Sequence, residues 1–547
     1  MASIEIDRRE FIELVGEEIE NEKLIEEGSF MGVHWHSIDG NVCDVETYPN
    51  RPDCLSVEGL ARAYRGFFEI ETGRKNYTAE EPEINVEVDS SVSEVRPFIG
   101  GSVIRDVELS EKKINGLIQL QEKMHETMGR RRDKLAIGLH DLSELEPPFT
   151  YKAVEPESVS FKPLEKQKQM QLGEILGEHK KGKEFSWILE DEEKYPVIVD
   201  SEDQVLSFPP IINNQLTEVE PNTTDVFIDV TGKHRETVQK ALNILATALE
   251  ERGGTIEKVR VDEMEMPNLE PEEMVLDEEY FRSVSGIDLD KDEIVQRLQM
   301  MKYGARKNDE GIMVEVPCYR TDVMHQYDLI EDVVIAHGYD SIEPETPEVD
   351  QEGGLKSITE LSDLIRDVMT DAGAMEAYTH ALSSEEKLFD RMERNVEGNV
   401  KLENALTEEY STLRSWLLPS MLEVLKENKH RAYPQEFFET ADVSKIDESA
   451  TGASNKRKLA FIVSDSEVDY TDAKQKLQVL ERDLGIDFEI KEDEKSFMRT
   501  KRSADVFLGG EKIGFIGELD SKVLENWKLE KKAAGFELDL ERLRKLK

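Results

Sequence analysis

Cysteine is scarce in this chain: Cys43, Cys54 and Cys318 are the three in 547 residues, and no two stand in CxxC spacing. Neither a zinc site nor a disulfide framework is suggested. Long apolar runs are missing as well. Nothing approaches the roughly 18 residues of a membrane-spanning helix, and the opening MASIEIDRREF has no apolar signal core. A cytoplasmic protein with no membrane partner is therefore expected. Positive charge is short: 69 Lys and Arg stand against 119 Asp and Glu, a net charge of -50. The average field repels phosphate, so any nucleic-acid contact must come from local basic patches or from a partner. Such acidity suits either a salt-rich cytoplasm, where screening acts over about 3 Å at 1 M, or an acidic subunit paired with a more basic one.

The length implies about three to five domains. The most informative stretch is PCYRTDVMHQYDLIEDVVIAHGYD, residues 317–340. Val314 and Val316 alternate with polar neighbours as in a strand, Pro317 ends that run, and Asp322 falls in the following turn. A helix is predicted over 326–336, closed by Gly338. Asp328, Glu331 and Asp332 then share one helix face, because i, i+3 and i+4 are neighbours there. With Asp322 they offer four hard oxygen donors, the chemistry of Mg²⁺, which takes a few carboxylates and keeps several waters. A solvated acidic face is the bland alternative, and spacing alone leaves the two even.

A faint internal repeat bears on that choice. Ile6-Asp7, Phe11 and Gly16 match Leu276-Asp277, Phe281 and Gly286 at identical spacing; Asp39-Gly40 answers Glu310-Gly311, Arg51 and Asp53 answer Arg320 and Asp322, and Gly66 answers Gly338. One small α+β module thus occurs twice, far apart. The first copy keeps the turn aspartate without the helix carboxylates, a contrast that favours metal in the second. Its helix is predicted to start after Ser56 as N-cap and to end at Gly66.

Between the copies lies an α+β region. A helix over 111–128 runs into Gly129-Arg130-Arg131-Arg132 and a strand-like LAIGLHDL. The arginines complement a helix C-terminus or hold an RNA backbone. Further on, Asn213 and Asn214 follow a Pro-Pro loop, and Asp229 and Thr231 project to one side of a strand. That cluster reads as a polar pocket or as turn chemistry, with turn chemistry the simpler account. After a VDQEGGL linker, Ser357 begins a helix with Glu360 in capping-box position and Gly373 as its stop. Pro419 opens another helix. The strands that alternate with these helices, and a hairpin at Gly509-Gly510, argue for a largely antiparallel sheet. His34 and His36 flank Trp35 as surface histidines on a strand, with no third ligand nearby.

Six segments in order, NRPDCLSVEGLAR, GRRRDKLAIGLHDL, LSFPPIIN, YRTDVMHQYDLIEDVVIAHGYD, NALTEEYSTLRSWLLPSMLEVL and FIGELDSKVLENW, resemble signatures of the archaeal/eukaryotic-type phenylalanyl-tRNA synthetase β subunits. The resemblance implies an α+β multidomain fold in four parts: a B1-like module (1–85), a B3/B4 editing domain (86–271), a B5 domain (272–346) and an inactive class II catalytic-like domain with an antiparallel sheet (347–547). It implies an (αβ)₂ heterotetramer in which the α subunit binds ATP and charges tRNA(Phe) with phenylalanine. About one Mg²⁺ per β subunit is expected at Asp322, Asp328, Glu331 and Asp332. An editing pocket for mischarged Tyr-tRNA(Phe) is expected near Leu206, Pro209, Asn213, Asn214, Asp229 and Thr231. A free-standing editing hydrolase and a non-catalytic tRNA-binding scaffold are the alternatives. The strand FFETADV lacks the arginine with which class II sites hold an adenylate, and no G-x-G-x-x-R follows it. Developing phosphate charge would go unstabilised there.

Overall fold

Asp7 and Asp277 begin the same helix in two places. Each carboxylate accepts a backbone N–H three residues on, from Glu10 and Tyr280, and starts the helices Arg8–Val15 and Glu278–Ser285. Gly16 (φ 87°) and Gly286 (φ 70°) end them in the left-handed region. The strand before each helix, Ala2–Asp7 or Glu272–Leu276, pairs antiparallel with the second strand of a later hairpin. Both three-stranded sheets therefore have the order first, third, second. A last helix closes each module, Val57–Phe67 and Gln326–His337. The computed structural model describes residues 2–309 and 311–546, so Glu310 of the repeat lies outside the described residues.

Although far apart in sequence, the two modules bury one hydrophobic core. Phe11, Trp35 and Tyr64 of the first join Phe281, Leu298 and Leu329 of the second. The Trp35 indole donates to the Tyr64 hydroxyl at 2.8 Å, and that hydroxyl donates to the Gly28 carbonyl at 2.9 Å. Ser56 caps its helix as predicted. Gly66 does not end it: the helix runs on to Phe67, and a Cβ on Gly66 would stand 2.3 Å from the Met300 carbonyl oxygen. This glycine serves the close approach of the two copies.

The intervening segment builds a ten-stranded sheet. From its edge strand inward it runs Leu135–Asp141, Val226–Gly232, Phe98–Arg105, Thr255–Val261, Glu80–Val88, Phe149–Val154. Glu80–Val88, across which the boundary drawn at residue 85 falls, pairs in parallel with two of these strands and is part of this sheet. The helix Arg235–Glu250 packs Val238, Leu242, Leu245 and Leu249 onto it. These elements and both modules form one compact unit, Met1–Thr346.

The second unit, Pro347–Lys547, holds a seven-stranded sheet, antiparallel except where Met375–Glu376 pairs with Gln435–Ile446. Ser357 is the first residue of the helix Ser357–Asp371, not its cap. Lys356 holds the extended N-cap position without a side-chain bond, so no capping box with Glu360 forms. Pro419 sits in the first turn of Leu418–Asn428, and Gly509 and Gly510 turn the hairpin with φ of 57° and 82°. The chain is thus a mixed α+β, multidomain protein. Among the described residues no helix is long and apolar enough to cross a membrane.

Candidate functional site

Arg320 organises the acidic turn. Its Nε and Nη2 donate to the two oxygens of Asp322 at 2.8 and 2.7 Å, and Nη2 also donates to Asp332 Oδ2 at 2.7 Å. The Tyr303 hydroxyl donates to the same Asp332 oxygen at 2.6 Å. Asp328 Oδ2 accepts the N–H groups of Met324 and His325 at 2.7 and 2.8 Å, which caps the helix Gln326–His337. Burial works to raise the Asp322 carboxyl, but the Arg320 charge and its hydrogen bonds hold it below the usual range. Glu331 goes the other way: burial and then the charges of Asp332, Asp328 and Asp322 raise it. No hydrogen bond engages Glu331 among the described residues.

Among the described residues no three His, Cys, Asp or Glu side chains are gathered at metal-ligand spacing. Asp322 nonetheless stands in the turn before the helix Gln326–His337 and Asp328, Glu331 and Asp332 in its first two turns, close enough that, after burial, the three aspartates add to the rise of Glu331. Mg²⁺ commonly uses one or two carboxylates and keeps its waters. Asp328, with one oxygen unused by the cap, and Glu331 fit that requirement, while Asp322 and Asp332 are engaged by Arg320.

The first module repeats the clasp. Arg51 donates through Nε and Nη2 to both oxygens of Asp53 at 2.9 Å. Burial opposes the Asp53 charge, yet Arg51 draws its pKa down to about 2. Arg62, buried, bridges the copies: it lies 3.9 Å from Asp53 and 3.4 Å from the centre of the Tyr319 ring.

A cavity of about 510 Å³ opens beside the central sheet. Apolar walls come from Leu117, Ile137, Leu139, Phe208, Ile211 and Val219. Pro209, Asn213 and Asp229 line it as well; Leu206, Asn214 and Thr231 do not. Leu206 is fully buried in the core. The Asn214 amide donates to the Val205 carbonyl at 2.6 Å and its oxygen accepts from the Leu216 N–H at 3.2 Å, so it shapes the loop. Thr231 accepts from Arg96 Nε at 3.0 Å. Strand alternation puts Thr231 on the side of Asp229, but Arg96 covers it.

Arg96 also donates to the carbonyls of Arg132 and Asp133, at 3.1 and 3.0 Å. It thereby pins a turn in which Arg130, Arg131 and Arg132 all have positive φ (46°, 57° and 68°), a sparsely populated conformation for side-chain-bearing residues. Arg130 and Arg131 are exposed; Arg132 turns inward and lines the cavity. Its guanidinium donates to the carbonyls of Pro210 and Ile211 and, at 2.6 Å, to Glu122. His125 accepts the Ile137 N–H at 2.8 Å, leaving Nδ1 without a hydrogen-bond partner; Ser207 Oγ is likewise buried and unpartnered. Both residues line the cavity, which can therefore take an apolar group that carries hydrogen-bonding atoms. Sequence reasoning did not single out Gly138, His140, His125 or Ser207. A signal existed for the first two in GLH, but only the strand register places them.

In the second unit the arginine-free strand Gln435–Ile446 carries Glu439, buried and paired with Arg414 at 3.0 Å. Glu537 takes Lys458 at 2.6 Å and the N–H groups of Leu417 and Leu418 at 2.9 and 3.0 Å. Glu439 and Glu537 are thus each committed to a basic partner. The cysteines are free, and burial pushes Cys54 up to about 12 and Cys318 to about 11. His34 and His36 are exposed, and His36 lies 2.9 Å from Glu46.

Three family matches tile most of the chain: the B3/4 domain over residues 107–260, the tRNA synthetase B5 domain over 274–339, and the phenylalanyl tRNA synthetase beta chain CLM domain over 342–540. The phenylalanine–tRNA ligase beta subunit of Thermococcus sibiricus is 40% identical over 497 residues, 90% of this chain and 89% of that one. Its counterpart from Methanosarcina acetivorans is 38% identical over 528 residues, 95% of each chain, and that from Archaeoglobus fulgidus 39% over 517 residues, 93% of each. The crystal structure of an N-terminal fragment of the phenylalanyl-tRNA synthetase beta subunit from Pyrococcus horikoshii superimposes with a TM-score of 0.59 at 36% identity. It covers 62% of this chain and 100% of the fragment.

Proposed function

The chain belongs to the family of phenylalanine–tRNA ligase β subunits, a branch of the aminoacyl-tRNA synthetases, and from that premise we propose that it supports an adenylate-forming α subunit and removes tyrosine from mischarged tRNA(Phe). The cavity carries this reading. Tyrosine exceeds phenylalanine by one hydroxyl, and an apolar pocket rejects such an addition by only about 100-fold. A second site must hydrolyse the remainder, and it needs apolar walls for the ring and unsatisfied polar atoms for the phenol. Leu117, Leu139 and Phe208 supply the first; Ser207 and His125 offer the second. Asp229 supplies a carboxylate at the same wall.

In this proposal the α subunit binds ATP and charges tRNA(Phe), the two chains assemble as (αβ)₂, and the complex works in the cytoplasm. The sheet-forming segment from Glu80 to Pro271 edits, 1–79 and 272–346 form a scaffold, and 347–547 docks α. The committed charges around Glu439 and Glu537 support that last role. Asp328 and Glu331 would hold Mg²⁺, with Asp322 and Asp332 adding negative field; bound there, the ion supplies charge neutralisation, and no catalytic step needs it. ATP–pyrophosphate exchange with phenylalanine tests the division of labour. Exchange is expected from the co-purified α–β complex and not from this chain alone; exchange by the isolated chain would overturn the proposal.

A further inference from the structure

Asp229 is not alone at the cavity wall. Its Oδ2 lies 2.7 Å from Nε2 of His140, whose Nδ1 lies 2.8 Å from the Thr217 hydroxyl. That hydroxyl is 3.1 Å from the Asn214 carbonyl and 3.5 Å from the Leu206 carbonyl, both acceptors only. A hydroxyl has one hydrogen to give. Given to Nδ1, the nearest of its three neighbours, it leaves the ring hydrogen on Nε2. An ionised carboxylate can only accept, so Nε2 donates to Asp229 across the 2.7 Å contact. His140 is 0% and Asp229 2% exposed, so water does not compete for that bond.

The strand register builds the pair. Leu135–Asp141 sets Gly138 opposite Asp229 and His140 opposite Phe227. Asp229 reaches His140 by crossing over bare Gly138, where a Cβ would stand 1.9 Å from Asp229 Oδ2 and 2.6 Å from His140 Nε2.

We propose that His140 is a positioning residue for hydrolysis in this cavity: through its hydrogen bond to Asp229, and anchored by Thr217, it aims the carboxylate at the attacking water. This rests on the editing reading above. As the water oxygen bonds to the ester carbon, one water proton passes to the free oxygen of Asp229. When the bond from that carbon to the ribose oxygen breaks, the proton moves to the ribose oxygen. Tyrosine and a free tRNA end leave, Asp229 is again ionised, and His140 has kept its Nε2 hydrogen throughout.

Steady-state deacylation of Tyr-tRNA(Phe) by the α–β complex tests this. His140→Phe should lower kcat about 100-fold with KM unchanged. His140→Gln, whose amide can still donate to Asp229, should recover about tenfold of that loss. A low-field histidine ring proton should appear in the NMR spectrum and vanish in Asp229→Asn. If His140→Phe does not fold, Thr217→Val carries the test with an expected fall of about tenfold. Wild-type rates in whichever of these variants folds, or equal losses in His140→Phe and His140→Gln, would overturn the assignment while the editing reading stands. A wild-type complex inert toward Tyr-tRNA(Phe) would instead overturn the editing reading, and this inference with it.

Discussion

Asp53 and Asp322 occupy corresponding turns of the two modules, and each is clasped by both arms of the arginine two residues before it. The clasps are near enough that Arg320 acts on the charges of Arg51 and Asp53. Duplication has therefore brought like pairs together at the middle of the shared core, where each charge depends on its partner.

Removing one partner of such a buried pair leaves the other uncompensated. Asp53→Asn should cost about 3–5 kcal/mol, whereas Arg51→Met with Asp53→Leu should cost less than either single change. Denaturant unfolding of the full chain reads both, and a double variant as damaged as the worse single one would contradict the account.

His125 gives the protein an acid-sensitive step. Burial, ahead of the opposing pull of the Glu122 carboxylate 3.7 Å away, lowers its pKa to about 4, so the unfolded chain binds the proton first. The stability tied to neutral His125 is complete above about pH 6.5 and is lost as pH falls toward 4, up to about 3 kcal/mol. His125→Gln, which can still accept from Ile137, should flatten the decline of stability between those pH values; an unchanged slope would assign it elsewhere.

The Mg²⁺ proposal makes a thermal prediction. Saturation at a hundred times Kd should stabilise the chain by about 2.7 kcal/mol, and Asp328→Asn with Glu331→Gln should abolish the effect. Because the Glu331 pKa is raised, protons compete for it, and the gain should shrink as pH is lowered. Identical melting curves with and without Mg²⁺ in wild type would count against the site.

Gly66 and Gly177 make a contrasting pair. A methyl on Gly66 meets the Met300 carbonyl oxygen at 2.3 Å, whereas one on Gly177 meets nothing within 4 Å. Gly66→Ala should cost about 1–3 kcal/mol and Gly177→Ala, in the helix Leu172–Glu178, should stabilise it by about 0.5–1 kcal/mol, both read by unfolding midpoints.

Much of the fold was legible because its determinants are local. The capping aspartates Asp7 and Asp277, the terminating Gly16 and Gly286, and the hairpin glycines act within a few residues of themselves. The helix carboxylates at Asp328, Glu331 and Asp332 were legible for the same reason. Their partner was not: Arg320 reaches Asp332 across twelve residues of turn and helix, which spacing does not encode. The cavity was half legible. Asp229 and Asn213 line it, but Thr231 is covered by Arg96 from 135 positions away, and His140 meets Asp229 only through cross-strand register. Ser357 was misplaced by one residue because cap and first helical position differ in backbone angles, not in composition.

The central claim is that the Asp229 cavity proofreads. Tyr-tRNA(Phe) should be deacylated by the α–β complex, with Asp229→Ala lowering the rate about 100-fold or more while phenylalanine charging continues. Equal deacylation by Asp229→Ala and wild type would contradict it.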